Sequence, residues 1–302
     1  TLYNKIKLTK SLDNLIKYGI TTKELSILNN NYQIDYLKYN HKYSKIDKSD
    51  YYNYINNNLI MSYSTMDNYN KCAFRYYLAN VLKIDIYDDT FIAFIGSLFH
   101  HILEIGLLND IDVNIEIDNY IKDSNRELSN KEKFFVNKIS KDIEFVLKTI
   151  RKQLNYSNLD KILFEEEIKV VKQEDITITF KGFIDKIMYQ ERPNEVIVAL
   201  IDYKTGSADI KLENTIYGLS LQLPVYLYLA NHKFKNAKFA GFYLQHILQN
   251  EISIDKSKTY NQKKEDNLKL EGYSNSDVNI LREFDSNYES SNMIKGMRCK
   301  KD

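Results

Sequence analysis

The sequence predicts a mixed α/β fold: a central β-sheet flanked by helices, with a helical appendage at the N-terminus. Three observations predict it. Apolar residues recur at helical spacing through residues 64–82, 92–108 and 130–153. The period then shortens toward two in three consecutive runs, 162–171, 176–189 and 196–203, separated by short polar turns such as Pro193-Asn194. A helical stretch over 214–231 and a strand-like run from Ala237 to Leu248 follow, which makes helices packed on a sheet the natural architecture.

The elements follow in order. Residues 1–58 are polar, rich in Asn and Tyr, and carry only short helical patterns, so they read as a helical segment or the tail of a preceding domain, with the main domain over 59–302. Ser64 is a plausible N-cap for a helix carrying Tyr69, Phe74, Tyr77, Leu78 and Leu82. A second helix runs from Ile92 to Leu108 with Phe94, Leu98, Ile102 and Ile105 on its apolar side, and the third, over 130–153, is more charged. Pro224 removes one helical hydrogen bond, so the later helix starts or bends there. From Asn250 onward the chain is Lys/Asp/Asn/Ser-rich and weakly patterned.

Composition narrows the function classes. At 302 residues the chain can bury a large core. Its net charge of +1 gives no global field for nucleic acid, so any such contact must be local. Two cysteines, Cys72 and Cys299, exclude a disulfide framework and a four-cysteine metal site, and fit a reducing, cytoplasmic setting. No run of about 18 apolar residues is expected to span a membrane, and the start lacks the apolar core of a signal peptide. It also lacks an initiating Met, as a fragment of a longer polypeptide would. The 25 tyrosines and 2 prolines, with abundant Asn, Ile and Lys, point to a coding bias that weakens any argument from lysine richness.

The chemistry concentrates at Ile201-Asp202-Tyr203-Lys204-Thr205-Gly206, the end of the apolar run Val196–Leu200. Strand alternation puts Asp202 and Lys204 on one face. Asp185, in Gly182-Phe183-Ile184-Asp185, supplies a second acid from a neighbouring strand. Two acids and a lysine suit metal-assisted phosphodiester cleavage: the acids hold a hard cation and the lysine orients or activates water. A surface salt bridge is the alternative, but it explains poorly an acid flanked by an apolar run. His100 shares a helical face with Gly96 and Glu104 and is either a ligand or a hydrogen-bonded histidine at a helix–sheet contact. A zinc site of His100 with Glu104 lacks paired histidines, since His101 points elsewhere. Gln222 and Tyr226, four apart, place an amide and a phenol near the site. Of Glu165, Glu166 and Glu167, alternation puts Glu166 with Phe164 and Ile168, the oddest position for an acid, where it either holds a water or marks a solvated edge.

Together these residues resemble the RecB-type nucleases of the PD-(D/E)XK superfamily. The ordered signature of that family is a Gly-x-x-x-His helix, a Gly-x-x-Asp strand, an Asp-Tyr-Lys-Thr-Gly strand end and a Gln-x-x-x-Tyr helix. It is matched by Gly96/His100, Gly182/Asp185, Asp202–Gly206 and Gln222/Tyr226 in register. Ser62-Tyr63-Ser64 through Cys72 and Tyr77, and Leu270-Glu271-Gly272-Tyr273 with Asp277, are similar to the nuclease domains of AddB-type helicase–nucleases. The resemblance implies a restriction-endonuclease-like fold and a DNase, in the exonuclease class, with Mg²⁺ or Mn²⁺ held by His100, Asp185, Asp202 and the Tyr203 carbonyl. It implies that Lys204 positions water, and that Gln222, Tyr226 and Thr205 meet the substrate. It further implies single-stranded DNA ends as substrate, a helicase–nuclease partner and a place in double-strand-break repair. AddB-type domains often carry an iron–sulfur cluster with one early and three late cysteines. Cys72 fits the early position, but no late triad is present, so no 4Fe-4S cluster is expected. The rival reading is a non-catalytic DNA-binding or scaffolding module that keeps the fold.

Overall fold

The computed structural model describes residues 1–32, 45–84, 90–206, 211–248 and 258–297. The chain divides into two compact units, Thr1–Tyr54 and Ile55–Asp302. In the first, α1 (Leu2–Tyr18), α2 (Lys23–Asn31) and α3 (Lys48–Tyr54) are short and polar. Leu8, Leu12 and Leu25 form the small core that joins α1 to α2. Gly19, at φ 68°, ends α1 in the left-handed conformation that glycine adopts without a Cβ penalty.

The second unit begins with strand β1 (Asn58–Met61), followed by α4 (Tyr63–Lys71), α5 (Ala73–Tyr76) and a π-type turn over Tyr77–Val81. Ser62, not Ser64, is the N-cap of α4, because Ser62 and Thr65 satisfy each other's free backbone donors reciprocally. Three helices come next: α6 (Phe91–Leu108), α7 (Val113–Asp123) and α8 (Asn130–Leu154). Sequence periodicity does not separate α7, whose start is set by the Asp112 cap. The meander is β2 (Lys161–Gln173), β3 (Thr177–Glu191) and β4 (Val196–Lys204). Then come α9 (Gln222–Lys233), β5 (Ala237–His246), α10 (Tyr260–Asn267), β6 (Glu271–Ser274) and α11 (Val278–Phe284). The helix expected over 214–231 is two pieces, a 3-10 turn at Leu212–Tyr217 and α9. Gly218 and Ser220 lie between them at φ 72° and 55°, which no continuous helix allows. Pro224 falls in the first turn of α9, where its missing N–H costs nothing.

The six strands form one sheet in the order β1-β3-β4-β5-β6, with β2 along the other side of β3. The β3 pairings with β2 and β4 are antiparallel, and β4 runs parallel to β5. Because β2 occupies one whole side of β3, β1 and β4 must share the other. They take only its two ends, Thr177–Phe180 and Lys186–Glu191. Residues 181–185 therefore have no ladder partner on that side, and Asp185 sits at the lip of the gap.

Each sheet face has its own core. Leu98, Phe99, Ile102 and Leu103 of α6 and Ile143 of α8 pack against Ile197, Ala199, Ile201 and Tyr203. Leu223, Tyr226 and Leu229 of α9 pack on the opposite face against Ile184, Ile187, Val198 and Leu200. The alternation along β4 is what feeds both. By length and composition the 18-residue α6 is apolar enough to cross a membrane, contrary to the expectation of no such run. In this fold one of its stripes is core and another faces the candidate site. Gly272 is required in β6, since an added Cβ would lie 2.1 Å from the Phe242 carbonyl oxygen.

Candidate active site

The acids meet where β3 and β4 part. The ladder between them ends at Lys186↔Ile201. One step further Asp185 and Asp202 face each other, and the Tyr203 N–H donates to Asp185 Oδ2 at 2.5 Å instead of to a strand carbonyl. That bond fixes the Asp185 carboxylate and leaves Oδ1 3.8 Å from His100 Nδ1. Asp185 and Asp202 are 8% and 2% exposed, so neither is a surface acid.

On the α9 face, Asp202 is held from two sides. Gln222 Nε2 donates to its Oδ1, and the Lys204 ammonium pairs with its Oδ2. Among the described residues the Lys204 ammonium is the charge that Oδ2 meets. Tyr226 is 4% exposed. It packs edge-on against Tyr63 at 5.6 Å and beneath Gly182, where an added Cβ would lie 3.3 Å from its ring and 2.8 Å from Leu229 Cδ1. The glycine of the Gly-x-x-Asp strand thus lets α9 lie close to β3. Thr205 lies against Gly96 of α6, at an ordinary 3.5 Å from the position of an added Cβ.

On the α6 face, His100 Nδ1 is 2.9 Å from Glu165 Oε1. Among the described residues, ligand atoms of His100, Glu165 and Asp185 lie within 4.8 Å of one another. Sequence alternation singles out Glu166 instead. The β2–β3 ladder skips the Glu165/Asp185 step, and Glu165 takes φ 46°, which turns its side chain toward α6. Glu166 turns to the other face and pairs with Lys233 of α9 at 2.5 Å. Three consecutive glutamates carry no signal that could find Glu165; a backbone irregularity makes the choice. Asp202, expected in the ligand set, lies outside this three-residue group, and its Oδ2 pairs with the Lys204 ammonium.

One imidazole and two carboxylates are donors a hard divalent cation takes. His101 is not in the group; its ring lies 5.0 Å from that of Tyr120. His101 and Glu104 do border a cavity of about 430 Å³ that His100, Glu165 and Ser97 also line. Cys72 is exposed, and its Sγ accepts the Arg75 N–H at 3.5 Å, while Cys299 lies outside the described residues.

The electrostatics follow from crowding acids in a dry place. Burial first, and the Asp202 charge second, push Asp185 up to about 7. Burial also raises Asp202, opposed by Lys204. Burial works against a charged His100, but the hydrogen bond to Glu165 and the Asp185 charge outweigh it and raise the imidazole. Lys186, 2% exposed, is pulled down to about 7 by burial alone, with its ammonium 5.2 Å from the Tyr203 ring centroid. A cation in the site would relieve the repulsion between the acids.

The model of the PD-(D/E)XK nuclease superfamily matches residues 60–287, and the chain belongs to that family. Its six-stranded mixed sheet flanked by helices is consistent with the restriction-endonuclease-like fold. Among curated proteins, the chain is similar to an ATP-dependent helicase/deoxyribonuclease subunit from Thermoanaerobacter sp. (strain X514), 25% identical over 80% of this chain and 24% of that protein. The protein of the same name from Lachnoclostridium phytofermentans is 28% identical over 56% of this chain and 16% of its own length. That from Carboxydothermus hydrogenoformans is 34% identical over 39% and 12%. The chain spans about a quarter of the length of the first of these relatives.

Proposed function

We propose that this chain is a divalent-cation-dependent deoxyribonuclease, the nuclease part of a helicase–nuclease that trims single-stranded DNA ends during double-strand-break repair. The convergence of His100, Glu165 and Asp185 ligand atoms beside the Asp202–Lys204 pair carries the reading. Relatives named as helicase/deoxyribonuclease subunits support the substrate and a motor partner.

His100, Glu165 and Asp185 would hold Mg²⁺ or Mn²⁺, with Asp202 and the Tyr203 carbonyl as the further ligands that the family resemblance implies. When bound, the cation supplies Lewis-acid charge to the phosphodiester and makes water more acidic. Asp202 holds the Lys204 ammonium at the site, where it orients the attacking water and meets the charge growing on the phosphate. The water oxygen bonds to phosphorus as the P–O bond to the leaving strand breaks, with no covalent enzyme intermediate. Gln222 fixes Asp202, and Tyr226, buried beneath Gly182, fixes the helix that carries Gln222. Thr205 borders the path of the strand.

The test is Mg²⁺- or Mn²⁺-dependent degradation of end-labelled single-stranded DNA. Lys204→Ala should lower turnover by about 10²-fold or more, the scale for removing one preorganised charge, with cation binding retained. No turnover with any divalent cation would favour a non-catalytic DNA-binding module. Equal cutting of circular and linear strands would overturn the exonuclease assignment.

A further inference from the structure

Helix α9 begins without a side-chain cap of its own, since Leu221 at its N-cap offers none. The turn that feeds it needs two left-handed residues, Gly218 and Ser220, and for Ser220 that conformation is unfavourable. Yet this turn sets where Gln222 starts and therefore how its amide meets Asp202. The N–H groups of Gly218 and Leu219 close its first half locally, on the Thr215 and Asn214 carbonyls, but what holds the Gly218 carbonyl and the Ser220 N–H comes from far away in sequence. Ser220 N–H donates to Asp67 Oδ1 at 3.0 Å, and Asn70 Nδ2 donates to the Gly218 carbonyl at 2.6 Å. Tyr63 packs on Tyr226 of α9. Residues 63, 67 and 70 lie on one face of α4. A Cβ on Gly218 would sit 2.5 Å from Asn70 Nδ2, so the fit is close.

We propose that the Tyr63–Asp67–Asn70 face of α4 is a positioning clamp for the active site. It acts through the 218–220 turn on Gln222, and through Gln222 on Asp202. These are positioning residues: Asp67 and Asn70 bond the turn and neither ligand nor substrate. The inference rests on the nuclease reading for its kinetic test but not for its structural one.

Asp67→Ala removes the acceptor, whereas Asp67→Asn keeps an Oδ1 for Ser220 N–H and loses only the exposed ion pair with Lys71. With labelled single-stranded DNA and Mn²⁺, Asp67→Ala should lower kcat about tenfold with KM within about twofold, as misplaced catalytic groups do. Asp67→Asn should recover most of the loss. In a Gln222→Ala background Asp67→Ala should add less than about twofold, because the two changes act on one link. Asn70→Ala should show the same pattern, more weakly, and stands in if Asp67→Ala does not fold. Hydrogen exchange reads the clamp without turnover: amides of residues 225–227, the first in α9 whose N–H can close helical bonds, should exchange faster in Asp67→Ala and not in Asp67→Asn. Wild-type kcat in Asp67→Ala, equal losses in both Asp67 variants, or multiplicative losses with Gln222→Ala would overturn the clamp. A wild-type chain that cuts nothing would instead refute the nuclease reading, and the exchange pattern alone would then decide: unequal variants support the clamp, equal ones refute it.

Discussion

The Asp185 carboxylate accepts the Tyr203 backbone N–H at 2.5 Å, so a side chain stands where a strand carbonyl would otherwise be. This is how β3 and β4 separate at their acids without leaving a buried donor unpaired, an omission that costs about 1–3 kcal/mol. It also orients the Asp185 carboxylate from the backbone of the neighbouring strand. The opening between the strands, the orientation of the first acid and the approach of the second are one feature.

The raised Asp185 makes stability depend on pH. Its folded value of about 7 lies above the ordinary 3.8, so the folded state holds the proton more tightly than the unfolded chain. That contribution is complete below about 4 and is lost as pH rises through about 7. Lys186, held down to about 7, works in the opposite direction over the same range, so the Asp185 contribution is read against its own variant. The metal-free wild type should lose stability relative to Asp185→Asn between pH 5.5 and pH 8, and the variant should melt higher than wild type at pH 8, by about 2 kcal/mol or several degrees. Added Mn²⁺ should raise the wild-type melting temperature more at pH 8 than at pH 5.5, and the Asn variant little at either. Calorimetric scans across pH check all three.

Glu165 should matter as much as the acids legible in sequence. Glu165→Gln removes a charge from the ligand group, and Mn²⁺ affinity by titration calorimetry should fall by about tenfold or more. The same change weakens the Glu165 share of the interactions that raise His100 and leaves the Asp185 charge, so the imidazole should titrate at lower pH in the variant, as followed by NMR. Glu166→Gln, on the opposite face, should leave both readouts near wild type.

Tyr203 meets the candidate site through its backbone N–H and its ring rather than its hydroxyl. The hydroxyl is buried and has no hydrogen-bond partner among the described residues, while the ring lies edge-on to His100 at 5.7 Å. Tyr203→Phe should be neutral or stabilising by up to about 1 kcal/mol, because it removes a buried group that has no partner. Cleavage should persist. A destabilisation beyond about 1 kcal/mol in urea melts would show that the hydroxyl has a partner.

Gly182→Ala should destabilise by about 1–3 kcal/mol, the usual cost of overpacking a filled core. The added methyl meets Leu229 Cδ1 at 2.8 Å and the Tyr226 ring at 3.3 Å, and both residues are buried. Urea unfolding measures the loss. Gly96→Ala, with only an ordinary contact to Thr205, should cost less.

Much of this is legible in residue order. Asp202 and Lys204 share a face because strand alternation is a local rule, and α6 and α8 follow from helical periodicity over many residues. The differences have physical causes. Helix α9 is shorter than periodicity predicts because Ser220 takes a left-handed conformation that its identity does not announce. Glu165 takes the place that alternation assigns to Glu166, because alternation fails at a residue with φ 46°. The short strands β1 and β6 carry too few residues for a period, and exist through pairing with β3 and β5.

By itself, the order of residues determined the layered α/β architecture and the family, and it singled out two aspartates, a lysine and a histidine as candidates, because each of these stands in a short motif whose geometry is set within one element. The tertiary structure decided which atoms meet. Glu165 joins His100 and Asp185. Asp202 is steadied by Gln222 and Lys204, and α4 secures the turn before α9. Those relationships depend on where a ladder stops and on contacts between residues as much as 153 positions apart. No local periodicity encodes them.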